Sequence, residues 1–297
     1  MLVRDRRRLG DIAPSEVVEG DITDPSAWDR AVPGVDVVYH VAGSFREAEA
    51  SDESYRKVNA EAMRHAVDAG RRHGVRRLVH TSTVGIHGSI EGPPATEDSP
   101  IRPDGIYEVT KAAGDAIALE EAKRPGLEIV VIRPAPVYGP GDTRLVKLFR
   151  LASTPRPMLL GDGHALYHMV HIDDLVEAFL LAGERPEAAG QAFIIAGAER
   201  PSVNELVAVI ARTLGRPEPR PLHLPAAPVR LLAHACEIVC APLGLKPPIY
   251  RRRVDFFLNN RQYDTGKAQR LLGYRPAVSL EEGLRQTLAW CRAEKLL

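Results

Sequence analysis

Short β-branched runs alternate with longer stretches of helical periodicity through the first half of the chain. Val17-Val18-Glu19 predicts a strand, Pro25 to Ala31 a short helix opened by Asp24, and Val35 to Val41 a second strand that ends in Ala42-Gly43. Residues 54 to 73 place Val58, Ala62, Ala66 and Ala69 on one helical face, and Gly74 is placed to end the run. Arg77 to His80 then predicts a strand, Ile106 to Ala122 a helix, and Leu127 to Ile132 a nearly continuous apolar strand. Such a run suits the centre of a parallel sheet covered on both faces. Right-handed β-α-β crossovers join strands of this kind, so the expected fold class is α/β, an open doubly wound parallel sheet.

Beyond Pro134 glycine and proline punctuate shorter elements. A helix from Asp173 to Ala182 leads to a further sheet strand, Ala192 to Ile195, and helices over 203–214, 226–240, 265–272 and 280–294 make the remainder mostly α. The expected division is a dinucleotide-binding unit over residues 1–157, with 172–197 returning to its sheet, and a smaller lobe over 158–171 and 198–297.

Composition narrows the function classes. The 297 residues are 44% hydrophobic and 26% charged, which is enough for a sizeable core. Lys plus Arg and Asp plus Glu both total 39, so no overall field favours nucleic acid or anionic lipid. Three cysteines, Cys236, Cys240 and Cys291, read as free thiols in a reducing, cytoplasmic setting, the first two as buried thiols on one helical face. The charged opening, Met1 to Arg8, differs from a signal peptide, and its Arg6-Arg7-Arg8 run reads as a solvated start. The apolar stretch Ala226 to Leu245 is interrupted by charges and prolines and falls short of a membrane span. It reads as core helix, with a peripheral membrane contact or a lid over an apolar ligand as alternatives.

The chemistry centres on Tyr107-Glu108-Val109-Thr110-Lys111. Four-residue spacing on a helix puts the phenol and the ammonium on one face, and the ammonium lowers the phenol pKa toward a usable acid/base range. Thr81-Ser82-Thr83 follows a strand at the carboxyl edge, where open parallel sheets gather ligands. His164, His168 and His171 lie close to Asp173 and Asp174, but three converging metal ligands are not expected. Arg251-Arg252-Arg253 reads as a solvated run, with a phosphate or carboxylate contact as its alternative.

Taken together, Glu19 to Ile22, His40 to Gly43, Asn59, Thr81 to Gly88, Tyr107 to Lys111, Arg133 to Gly141 and His171 to Asp174 resemble the extended short-chain dehydrogenase/reductases, the NAD-dependent epimerase/dehydratase group. The resemblance implies Thr83, Tyr107 and Lys111 as catalytic residues. It implies Arg4, Asp21, Ile22, Val41, Ala42, Gly43, Thr81, Tyr107, Lys111, Pro134 and Val137 as residues around an NAD or NADP cofactor. Asn59 becomes a structural helix residue near the active site, and Asp173 a helix cap. A homodimer through the helices at 54–73 and 106–122 is implied as well.

One part of the family pattern differs. The family opens on a strand, a G-x-x-G-x-x-G turn and a helix, whereas Leu2-Val3-Arg4 resembles the end of the family's second strand. A segment of about 30 to 40 residues would precede it. Val17 to Glu19 is then expected apart from the main sheet, with one edge of the Val35 strand open. An incomplete start is the preferred reading over a partner strand or weak dinucleotide binding. Arg4, followed by Asp5 and Arg6, leans the cofactor toward NADP.

For substrate, Arg133 to Asp142 resembles the 3β-hydroxysteroid branch, which implies hydride transfer at a secondary alcohol or ketone of a sterol-like or other apolar molecule. A nucleotide-sugar epimerase and a non-catalytic scaffold of the same fold are the alternatives. Val84 and Gly85, where the dehydratase branch follows its threonine with acidic residues, disfavour sugar dehydration.

Overall fold

The computed structural model describes residues 1–10, 12–45, 51–240, 254 and 257–297. Its centre is a four-stranded parallel sheet formed by β3 (Val37–His40), β4 (Arg77–Thr81), β5 (Glu128–Pro134) and β9 (Ala192–Ile195), hydrogen-bonded in that order. Register pairs Val79 with Tyr39 on one side and with Val130 on the other. Successive side chains of β5 point to opposite faces, which divides the interior in two. Ile129 and Val131 join Leu78, Met63 and Ala118 in one core. Val130 and Ile132 join Val79, Phe193 and Ala178 in the other.

Two preceding strands stand apart. β1 (Leu2–Val3) and β2 (Val18–Glu19) pair with each other in parallel and with no other described strand. This separation matches the expectation for Val17 to Glu19. Helix α1 (Pro25–Ala31) starts as read, with Asp24 accepting the Ser26 N–H at 2.9 Å. Its Trp28 ring packs edge-on against His40 and links this small ribbon to the main sheet.

The stretch read as one helix from 54 to 73 has three parts. α2 (Asp52–Arg56) passes through a wider π turn, Lys57–Glu61, into α3 (Ala62–Arg72). Helix α4 (Ile106–Glu121) crosses that π turn so closely that a Cβ on Gly114 would lie 2.3 Å from the Asn59 carbonyl oxygen. On the other sheet face lies α6 (Ile172–Glu184), following a short pair of strands, β6 (Val137–Tyr138) and β8 (Val170–His171).

A third core builds the C-terminal part from α5 (Leu145–Ala152), α7 (Val203–Thr213) and the helix Leu280–Ala293, around Phe149, Leu206, Ile210 and Leu284. β7 (Met158–Leu160) pairs with β10 (Leu222–Leu224) at its edge. His168 ties this part to its neighbours: its Nε2 lies 2.7 Å from the Gly197 carbonyl, and its Nδ1 accepts the Tyr263 N–H at 3.3 Å.

Three sequence expectations are corrected here. α8 (Ala226–Cys240) is no core helix: Leu231, Leu232, Ile238 and Val239 are all more than half exposed. Only a narrow face of it, through Ala233, packs on Leu160 and Val254. For the same reason Cys236 and Cys240 are half-buried, while Cys291 is buried. The helix cap at α6 is the His171 ring, which accepts the Asp173 N–H at 3.3 Å, and the Asp173 side chain points to solvent. Asp174 instead accepts the N–H groups of Ala277 and Val278, fastening the C-terminal segment to α6. Leu243 and Arg251 to Arg253 lie outside the described residues. No described helix is long and apolar enough to cross a membrane.

Candidate active site

The carboxyl ends of β3 and β4 and the first turns of α4 meet at Lys111. Its side chain is buried, and its Nζ donates to the Thr81 carbonyl at the end of β4. Burial pushes the ammonium down to about 8, with the Asp115 carboxylate pulling the other way. Asp115 itself is engaged by Arg133 at 2.8 and 2.9 Å in a bidentate pair that is almost wholly buried. The cation at 111 is thus stabilised by a carbonyl and by the Asp115 carboxylate, with no ion pair to it among the described residues.

Tyr107 lies one turn earlier on α4, with its ring edge-on to Phe45 at 4.6 Å between centroids. Thr83 caps the tight 3-10 turn Val84–His87, its Oγ1 accepting the Gly85 N–H at 3.1 Å. A hydroxyl that accepts from the backbone keeps its own proton to donate. Behind these groups Asn59 acts as a clamp. Its Oδ1 accepts the Ser44 N–H at 2.8 Å, and its Nδ2 donates to the Ser44 carbonyl and to Thr110 Oγ1. The π turn aims that amide across to both the β3 loop and α4. A π turn of this kind recurs at functional sites because it shifts one residue out of the regular helical phase.

The residues singled out from sequence divide into two groups. Gly43, Thr81 and Lys111 converge: a Cβ on Gly43 would stand 3.2 Å from Asn59 Oδ1 and 3.9 Å from Lys111 Nζ, while Tyr107 lies one turn earlier on α4 and Thr83 opens the turn that follows β4. Val41 and Ala42 are exposed on the same loop, while Pro134 and Val137 sit at the end of β5 and in β6. Arg4, Asp21 and Ile22 belong to the β1–β2 ribbon. Arg4 is exposed, Asp21 accepts from Thr23, and the Ile22 carbonyl accepts from Trp28 Nε1 at 2.7 Å.

The chemistry of the groups around Lys111 suits the ribose end of a nicotinamide dinucleotide. The hydroxyls of Ser44, Thr81 and Ser82 are buried with no described partner, the ammonium is close by, and Gly43 has no side chain to block approach. Sequence reading missed Ser44, Phe45 and the pair His40 and His80, whose Nδ1 atoms are 3.2 Å apart beneath Lys111. Burial first, and the Lys111 charge second, push His40 down to about 3 and lower His80 as well. The signal for them was a histidine at the end of each of two adjacent strands.

Comparison with known proteins supplies the family. The pattern of the NAD dependent epimerase/dehydratase family matches residues 2–196. The chain is 31% identical over 295 residues to 3beta-hydroxysteroid-dehydrogenase/decarboxylase isoform 2 of Arabidopsis thaliana, covering 92% of this chain and 51% of that protein. It therefore spans about half the length of that relative. It is 35% identical over 285 residues to 2-alkyl-3-oxoalkanoate reductase of Stenotrophomonas maltophilia, covering 92% of this chain and 85% of the relative. Among solved structures, DesIV, a dTDP-glucose 4,6-dehydratase from Streptomyces venezuelae with NAD and TYD bound, superposes with a TM-score of 0.72 at 26% identity, over 98% of this chain and 84% of that one. By sequence match and by fold, the chain belongs to the NAD-dependent epimerase/dehydratase family.

Proposed function

We propose that the chain is an NAD(P)-dependent oxidoreductase acting at a secondary alcohol or ketone of a small organic substrate. The observation that carries this reading is the buried Lys111 ammonium, held by the Thr81 carbonyl one helical turn from Tyr107. A bound nicotinamide supplies the site that accepts or donates hydride. Tyr107 then gives or takes the hydroxyl proton, Thr83 donates a hydrogen bond to the same substrate oxygen, and Lys111 stabilises the phenolate left behind. Ser44, Thr81 and Ser82 line the ribose side. Neither NAD nor NADP is favoured by Arg4, whose side chain is exposed.

For the substrate, a nucleotide sugar is the better supported class. DesIV, a solved relative of that class, aligns with nearly the whole chain. Epimerisation would add release of the hydride and its return to the other face. An oxo acid or sterol is the second reading, favoured by the Arabidopsis and Stenotrophomonas relatives.

Two measurements test the proposal. Titration with NADH or NADPH should give saturable nicotinamide fluorescence, whereas a non-catalytic scaffold would give none. Replacing Tyr107 by Phe should then lower turnover by about 10²- to 10⁴-fold while leaving cofactor affinity unchanged. A Y107F protein with full turnover would overturn the assignment.

A further inference from the structure

Helix α4 carries a buried carboxylate that the hydride-transfer scheme does not use. Asp115 follows Lys111 by four residues, which sets the two side chains on one helical face with Cβ atoms about 5–6 Å apart. Both are buried. In a site this dry, a carboxylate at that spacing would draw the ammonium into an ion pair if it were free to turn. Lys111 Nζ instead donates to the Thr81 carbonyl.

Arg133, near the end of β5, is what holds the carboxylate back. Its Nε donates to Asp115 Oδ2 at 2.9 Å and its Nη2 to Oδ1 at 2.8 Å, so both oxygens are taken. Its remaining nitrogen, Nη1, donates to the Glu97 carbonyl at 2.7 Å, and the Glu97 carboxylate accepts the Ile194 N–H of β9 at 2.8 Å. The guanidinium is thereby fixed between two strands of the central sheet. Each side chain of the pair is only 4% exposed. Buried pairs of this kind often add no more stability than well-packed apolar side chains, so stability alone does not account for it.

We propose that Arg133 is a positioning residue for the acid/base pair: by holding both oxygens of Asp115 it keeps that carboxylate off Lys111, whose ammonium stays free for the Tyr107 phenolate. Without Arg133, Asp115 would compete for the ammonium. A Lys111 already paired with a carboxylate offsets less of the phenolate charge, and the phenol then ionises at a higher pH. The imidazoles around the cluster do not take this part. His40 on β3 and His80 on β4 are lowered by burial and by Lys111, and His87, in the turn after β4, is lowered by burial and by Arg133. All three are uncharged at neutral pH.

The inference rests on the oxidoreductase reading, and one titration tells the two apart. Tyrosinate absorbance of the wild-type chain minus that of Y107F, followed with rising pH, reports the ionisation of Tyr107 without substrate or cofactor. A wild-type midpoint at the ordinary value of about 10 would defeat the reading of an activated phenol, and the proposal with it. With a midpoint below that value, R133Q should raise it by about one pH unit, a 10-fold loss of phenolate below the midpoint. D115N/R133Q, which removes the competing carboxylate as well, should return it to the wild-type value. R133K holds one oxygen at most and should move the midpoint the same way by less; it serves where R133Q does not fold. Midpoints of R133Q and R133K that stay at the wild-type value would overturn the proposal and leave the oxidoreductase reading standing. A raised midpoint that persists in D115N/R133Q would overturn it too, because the pair would then act only by supporting the fold.

Discussion

At the scale of single residues, Lys111 joins a stability cost to its function. Its folded pKa near 8 lies below the ordinary lysine value, so between the two values the folded protein binds fewer protons than the unfolded chain. The sign is fixed by that difference. The cost of the buried charge is fully present below about pH 8, and stability rises with pH from there toward 10.5. A Lys111→Met variant carries no such charge and should melt higher than the wild type at pH 7, with the difference shrinking as pH approaches 10. Thermal unfolding of both proteins across that range checks it, and a difference that stays constant with pH would contradict the account. The same variant should lose most of its turnover, because the phenolate of Tyr107 would have no cation beside it. This is a stability–activity conflict of the kind that functional sites carry.

Helices and strands show which parts of this design can be read from residue order. The strand and helix alternation through Pro134, the capping Asp24, and the placing of Tyr107 and Lys111 one turn apart on α4 were all legible, because local periodicity and cap chemistry decide them. The π turn at Lys57–Glu61 was not, since a one-residue change of helical phase leaves the apolar spacing nearly intact. Nor was the exposure of α8, whose hydrophobic pattern resembles that of a core helix while its packing partner is a small patch. The ion pair between Asp142 and Arg144 in the loop after β6, at 2.7 Å, was invisible for another reason: an i, i+2 pair in a loop has no periodic signature. Gly114 offers a test at this scale. Its missing side chain lets α4 touch the Asn59 carbonyl, so Gly114→Ala must push the two segments apart. Such overpacking costs about 1–3 kcal/mol. The variant should melt several degrees lower and, since Asn59 holds Ser44 and Thr110 in place, lose activity as well. An unchanged melting temperature would show that the crossing is looser than described.

Across the whole molecule, buried imidazoles set the response to acid. His40, His80, His87 and His168 are all buried, and burial is the main reason each pKa is lowered, to about 3 for His40 and about 4 for His168. Each would titrate near 6.5 once unfolded, so the unfolded chain binds more protons at mildly acidic pH. Stability should therefore fall as pH drops from about 6.5 toward 4, by about 1.4 kcal/mol per pH unit for every histidine still uncharged in the fold. Set against a typical total of about 5–15 kcal/mol, that slope is steep. Melting curves at half-unit steps between pH 7.5 and 4.5 would reveal it, and a flat profile above pH 5 would rule it out. Because His168 joins Gly197 to Tyr263, separation of the C-terminal part is expected to be an early event in that loss.

The closeness of His40 Nδ1 to His80 Nδ1 has a further chemical meaning. Two neutral imidazoles meeting nitrogen to nitrogen share one hydrogen, so one ring is the 1H tautomer and its neighbour the 3H form. The two outer Nε2 atoms, both buried and without a partner among the described residues, are then unlike: one offers a bare lone pair and the other an N–H. Reversing the pair would need one outer nitrogen to lose a proton and the other to gain one, so with no described partner at either nitrogen the orientation is held.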